Sequence, residues 1–222
     1  MRVVIPLDPD RTLALAYVPA RHRPAVEALW RLDAALASVL STGKEPLISQ
    51  IRLAWWREAL EKLDSQAAPG EPVLQALSAR VVPAGISGAE LSAMEAGWAV
   101  LLSSEPLAEA DLELYASARG GLLFRYTARL LGEFAPGVGV EAGGGAWALI
   151  DLARHSTDAA DSEAAATAAR RVAPSRWASR LRPLGMLAML AARDADPARP
   201  RWEPQGSPGR MLRMARHRLT GK

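Results

Sequence analysis

The chain has 222 residues, half of them apolar, with 27 Lys/Arg against 24 Asp/Glu for a net charge of +3. That is enough to close one sizeable core, so a disordered chain is excluded. With no cysteine, disulfides, thiolate metal sites, iron–sulfur clusters and cysteine nucleophiles are excluded too.

No apolar run approaches the ~20 residues that a bilayer span needs. The longest, Pro183 to Ala192, is interrupted by Gly185, and the opening MRVVIPLDPDR reaches Asp8 and Asp10 too soon for a secretory leader. The expectation is a cytoplasmic protein. Charge is uneven: from Arg193 onward eight Lys/Arg face three Asp/Glu, and Arg210 to Lys222 holds +5 with no acid.

Apolar residues recur at helical spacing and no run alternates as a strand does, so the spacing predicts an all-α, single-domain helical bundle. Pro24 opens a helix in which Val26, Leu29, Trp30, Asp33, Leu36 and Leu40 share one stripe, placing a carboxylate among apolar residues. A second helix runs from Lys44 to Leu63, and a short one from Val73 to Val82. Ser87 and Glu90 form a capping box ahead of Leu91, Met94 and Trp98. Beyond Pro106 a long helix reaches Leu131, interrupted by Gly120 and Gly121. Such a pair costs roughly 1 kcal/mol per Gly against Ala, which points to close approach of another backbone or a ligand.

Gly132 to Gly145 reads as a loop, with Gly143 to Gly145 a flexible turn. Helices over Ala146–Val172 and Arg176–Arg193 follow. The predicted organisation is a helical domain over 1–193, a Pro/Gly-rich linker over 194–209, and a basic amphipathic segment over 210–222.

Three stretches, RHRPAVEALWRLD (Arg21 to Asp33), YASARGGLLFRYTARLLG (Tyr115 to Gly132) and WALIDLARHSTD (Trp147 to Asp158), resemble the squalene/phytoene synthase family in order and spacing. The resemblance covers roughly Leu15 to Arg170. It implies the all-α isoprenoid (terpenoid) synthase fold, whose active members condense two prenyl diphosphates with Mg²⁺. The phrase KEPLISQIRLAWWREAL further resembles a subgroup related to assembly factors for respiratory complex I.

Departures from the enzymes' pattern matter more than the matches. The Asp-rich first motif should follow Asp33, but Ala37 to Thr42 contains no carboxylate, although Mg²⁺ and two diphosphates need several. In the second motif Arg154 matches, while His155 and Ala159 stand where the principal aspartates belong. Asp151, His155 and Asp158 at i, i+4 and i+7 would share one helical face. That face reads as solvated and acidic, since Mg²⁺ prefers all-oxygen ligands. Gly121 matches the enzymes' prenyl cavity but Phe124 replaces a glycine: pointing inward it fills the prenyl channel, pointing outward it is ordinary packing. Tyr115, Gly121, Phe124, Asp151, Arg154, His155 and Asp158 are thus candidates for a vestigial ligand pocket, with no catalytic residue and no metal site. No cofactor is expected, and Mg²⁺ only if some transferase activity persists.

Trp55, on a stripe with Ile48 and Ile51, is expected in the core. Trp56, beside Arg52 and Leu60, faces either a second packed helix or an exposed apolar-cationic patch, so Arg52, Trp56 and Arg57 are the partner-binding candidates. Asp33 needs a cationic neighbour, Arg119 or Arg125, and reads as a buried ion pair. Arg210, Arg213, Arg216 and Arg218 are candidates for an anionic membrane surface, in preference to nucleic acid because the tail has no aromatic side chain to stack on bases. The alternative is that the tail packs on its own domain.

These readings converge on a non-catalytic pseudoenzyme that acts as an assembly or scaffold factor, binds a protein partner of a membrane complex, and sits peripherally at the inner face of the cytoplasmic membrane. The alternative is an isoprenoid-diphosphate-binding protein or residual prenyltransferase.

Overall fold

Prolines set half of the α-helix starts among the described residues. In the computed structural model, which describes residues 6–43, 45–102, 106–172, 176–199 and 202–221, helix α1 (Pro9–Ala16) begins with Asp8 accepting from the Arg11 N–H and Pro9 in the first turn. Pro24, Pro46 and Pro72 likewise open α2 (Arg23–Thr42), α3 (Pro46–Glu61) and α4 (Pro72–Arg80), where the missing N–H would have had no intrahelical acceptor. Helix α5 (Gly88–Ser92) carries the predicted capping box, with both Ser87–Glu90 bonds formed, and α6 (Glu95–Ala99) follows. The described residues contain no strand, so the all-α expectation holds.

The predicted long helix is one continuous rod with a widened turn: α7 (Glu109–Tyr115), a π-helical segment (Ala116–Gly121) and α8 (Leu122–Leu130). The glycine pair sits in that segment because another backbone does approach. A Cβ on Gly120 would lie 2.1 Å from the Gly144 carbonyl oxygen, and one on Gly144 would lie 2.2 Å from that of Gly120. Gly144 belongs to α9 (Val138–His155), so two predictions change. Gly143 to Gly145 is helical instead of a turn, and helix replaces loop from Val138 onward. Tertiary contact overrides the low intrinsic propensity of glycine, since only this residue lets the two backbones cross so closely.

The helix expected over Ala146–Val172 is broken. After His155 the chain is extended at Ser156, and Asp158 caps α10 (Ala159–Arg170) by accepting from the N–H groups of Ala160 and Asp161. Helix α11 (Arg182–Ala195) leads to α12 (Pro208–Thr220).

The basic segment expected to stand apart from the core is instead packed into it. Arg210, Met214 and His217, at i, i+4 and i+7, are buried against α11 and α1, and Gly221 ends the helix in the left-handed conformation that glycine adopts freely.

Trp55, expected in the core, lies outside, and of the two alternatives for Trp56 the structure takes the packed one. Trp56 is 8% exposed while Trp55 is 47% exposed, their rings meeting edge to face at 5.4 Å. The buried stripe of α3 is Ser49, Leu53, Trp56 and Leu60, continued by Leu63. Ser49 can sit inside because its hydroxyl donates to the Val39 carbonyl at 3.3 Å. Leu47, Ile48 and Ile51 join Trp55 on the outside.

Candidate functional site

The carboxylate on the apolar stripe of α2 has found its partners. Asp33 is fully buried and accepts from Arg119 through Nε at 2.9 Å and Nη2 at 3.2 Å, a two-pronged pairing across 86 residues of sequence. Arg11 adds a third bond, 2.9 Å from Nη1, and its Nε donates to Asp8. The remaining prong of Arg119, Nη1, lies 2.7 Å from Asp151 on α9 and also donates to the Tyr115 hydroxyl. The Arg119 guanidinium therefore sits between a carboxylate of α2 and one of α9, held in place from the π segment.

Aromatic rings close the rest of its surroundings. The guanidinium carbon is 4.1 Å from the Trp98 ring centroid, 4.9 Å from that of Trp147 and 5.4 Å from that of Tyr115. A desolvated cation gains most from such faces. Burial alone would discourage the charge on Arg119, but Asp33, Tyr115 and Asp151 outweigh it and hold its pKa well above the usual guanidinium value. Burial likewise opposes the Asp151 carboxylate, yet Arg119, His155 and Arg11 hold it well below the usual carboxylate range. Burial pushes the Tyr115 phenol up, against the pull of Arg119.

The predicted pocket residues divide. Tyr115 and Asp151 join the Arg119 centre, and His155 touches its edge, with Nδ1 2.8 Å from the Asp151 carbonyl and 3.3 Å from its carboxylate. Hydrogen bonding to Asp151 raises the His155 pKa. Asp158 does not share their helical face, because it is spent as the α10 cap. Phe124 points inward, its ring centroid 5.9 Å from Trp147 and 6.2 Å from Trp177. Gly121 is buried, and a Cβ there would be in ordinary contact, 3.7 Å from its nearest neighbours. Arg125 pairs with Glu141, leaving Asp33 to Arg119.

Arg154 faces away from this centre. It binds Asp194 at 2.9 Å and the Glu203 carbonyl at 3.2 Å, inside a second buried cluster. There Arg210, a predicted membrane contact, is 4% exposed and binds Asp10 at 2.9 Å and Asp194 at 2.6 Å. Arg213 pairs with Glu203. These two arginines are tied to carboxylates of the fold, whereas Arg216 is exposed and Arg218 half-buried. On α3, Arg52 and Arg57 are exposed as expected, while Trp56 is not available to a partner.

Sequence reasoning missed Arg11, Asp10 and Asp194. A signal for the first was present: Asp8 followed by Pro9 is a helix start, which places Arg11 on the opening turn.

Mg²⁺, the ion of the fold's enzymes, would need carboxylate oxygens free to coordinate it. Asp33 and Asp151 already bind guanidinium groups, and among the described residues no group of three or more His, Cys, Asp or Glu could hold a metal ion. The donor set does not fit the ion.

Helices from both halves of the chain thus surround one central cluster beneath α2, α9 and the π segment. The squalene/phytoene synthase model matches residues 7–155, and the chain belongs to that family. The match includes Asp8 and Arg11 as well as Asp33, Arg119 and Asp151. No curated protein and no solved structure matches the chain.

Proposed function

We propose that this family member has exchanged prenyl-diphosphate chemistry for a scaffold role, holding a protein partner during assembly of a membrane-bound respiratory complex. One observation carries the loss of chemistry: Arg119 and Arg11 occupy the carboxylates that face each other across the centre. A diphosphate–metal cluster would have to displace two buried, fully paired guanidinium groups, and breaking one such pair costs about 3–5 kcal/mol. Phe124 further supports the reading by filling the interior beside Trp147.

The scaffold role rests on the subgroup resemblance of Lys44 to Leu60 together with what α3 presents outward. Leu47, Ile48, Ile51 and Trp55 form an exposed stripe next to Arg52, and Trp with Arg is enriched at binding hot spots. Trp55 replaces Trp56 as the partner-facing tryptophan.

A second reading, an isoprenoid-diphosphate-binding protein or residual transferase, draws on a groove of about 720 Å³ lined by Leu40, Leu101, Leu107, Leu152, His155 and Asp158 among others. It is lined from the ends of α2 and α9, with leucines facing His155, Thr157, Asp158 and Asp161. Incubation with farnesyl or geranylgeranyl diphosphate and Mg²⁺ or Mn²⁺ separates the readings. No product above the no-enzyme control is expected, and turnover would overturn the proposal. Calorimetry with a non-hydrolysable analogue detects binding without turnover, the mark of the second reading. In cells, Trp55→Ala should lower the level of assembled complex while leaving the melting temperature of the purified protein nearly unchanged.

A further inference from the structure

The most exposed large apolar side chains of the described residues lie away from the centre and away from α3. Val138 is 87% exposed, Leu219 78% and Phe134 77%, with Leu212 and Met211 also outward. Phe134 lies in the turn before α9, Val138 opens α9 and the other three belong to α12, yet hydrogen bonds bring the two segments together. Arg180 donates to the Gly132 carbonyl at 3.1 Å, and Arg182, two residues on, donates to the carbonyls of Arg218 and Leu219 at 2.8 and 3.2 Å. Residues 176–182 therefore run as a strap between the Phe134 turn and the C-terminal end of α12.

The charge along this edge has one sign. Residues 176–182 contribute Arg176, Arg180 and Arg182, and residues 210–221 contribute four more arginines, with no Asp or Glu in either segment. Glu133, the nearby acid, pairs with Arg180. Arg210 and Arg213 are held by Asp10, Asp194 and Glu203, and Arg182 is held by the α12 carbonyls, so the cations left to face outward are Arg176, Arg216 and Arg218. Packing of α12 through Arg210, Met214 and His217 is what turns Met211, Leu212 and Leu219 to the opposite side, with Arg216 between them.

We infer that this edge docks on an anionic lipid bilayer, with Phe134, Val138, Leu212 and Leu219 entering the headgroup–acyl boundary and Arg176, Arg216 and Arg218 meeting lipid phosphates. Apolar tips ringed by arginine match that boundary, where one layer is hydrocarbon and the next is negatively charged. A nucleic acid would use the arginines but leave the aliphatic tips in water. Attachment through so few cations is weak and reversible, and it does not depend on the scaffold role, because the surface is separate from α3 and from the Arg119 centre.

Co-sedimentation of the full chain with phosphatidylglycerol–phosphatidylcholine vesicles tests the inference, against pure phosphatidylcholine and across a salt series. Binding is expected only with the anionic lipid, falling as salt rises. Arg216→Ala with Arg218→Ala should weaken it about thirty-fold, each cation near the surface contributing about fivefold. Phe134→Ser with Val138→Ser should weaken it at every salt concentration. Both pairs should leave the melting temperature near that of the parent chain, as these side chains pack on nothing essential. Absence of vesicle binding, equal binding by parent and variants, equal binding to neutral vesicles, or preference for duplex DNA over vesicles would each overturn it.

Discussion

The molecule buries two arginine-centred clusters, and they are built for different ends. The central one sets Arg119 against Asp33 and Asp151 inside a box of Trp98, Trp147 and Tyr115, joining the middle of the chain to α2 and α9. The lateral one sets Arg210 against Asp10 and Asp194, joining α12 to α1 and α11. A cavity of about 20 Å³, room for roughly one water, lies between them and touches Asp8, Asp151, Arg154 and Arg210. The contrast teaches that a buried arginine has no single meaning. In the centre it joins two carboxylates brought together from α2 and α9, whereas at the side it tethers a terminal helix that composition alone suggests is free.

The largest expected effect lies in the centre. Arg119→Ala should destabilise the protein by about 3–5 kcal/mol, because it leaves Asp33 buried without its main partner. Chemical denaturation measures it, and the combined change Arg119→Met with Asp33→Leu and Asp151→Asn should restore part of the loss by removing both carboxylates that Arg119 held. A loss under about 1 kcal/mol for Arg119→Ala would break the distinction by showing that the centre is not held by this pairing.

Arg210→Ala should cost about 3 kcal/mol by the same argument, but locally. Hydrogen exchange is expected to speed up across 206–221 while α2, α8 and α9 keep their protection. Uniform acceleration would merge the two clusters into one cooperative unit.

Acid sharpens the contrast by a smaller amount. The Asp151 pKa is depressed in the folded protein, so its contribution is present above the ordinary aspartate value of about 3.9 and is lost as pH falls toward the depressed value. Stability should decline below about pH 4 by on the order of 2 kcal/mol, and Asp151→Asn should flatten that limb. His155 acts in the opposite sense: its raised pKa gives a contribution present below about pH 6.5 and lost as pH rises through the folded value, small because its ring is exposed. A melting curve with the same acid limb in Asp151→Asn would assign the decline elsewhere.

Much of this protein is legible in local sequence. Helical periodicity, prolines at first turns and the Ser87–Glu90 box act over a few residues, so they define the all-α class and most helix starts. The order of motifs marks the family, and the missing carboxylates of Ala37 to Thr42 are visible by inspection. A carboxylate on an apolar stripe predicts that Asp33 needs a buried cation, and Arg119 is one of two arginines that could supply it.

What remained undecided depends on partners distant in the chain. Gly143 to Gly145 reads as a break until Gly120 is set against Gly144, a crossing that only the packed helices reveal. Trp55 and Trp56 occupy neighbouring stripes of similar apolarity, and the choice between them falls to the helices packed on α3, which accept Ser49, Leu53 and Trp56. The C-terminal helix looks detachable by charge, yet Asp10 and Asp194 neutralise Arg210 from opposite ends of the sequence. Local signals constrain backbone conformation because they act through neighbouring dihedrals and caps. Burial is settled by which surfaces meet, and these surfaces come together only once the whole chain has folded.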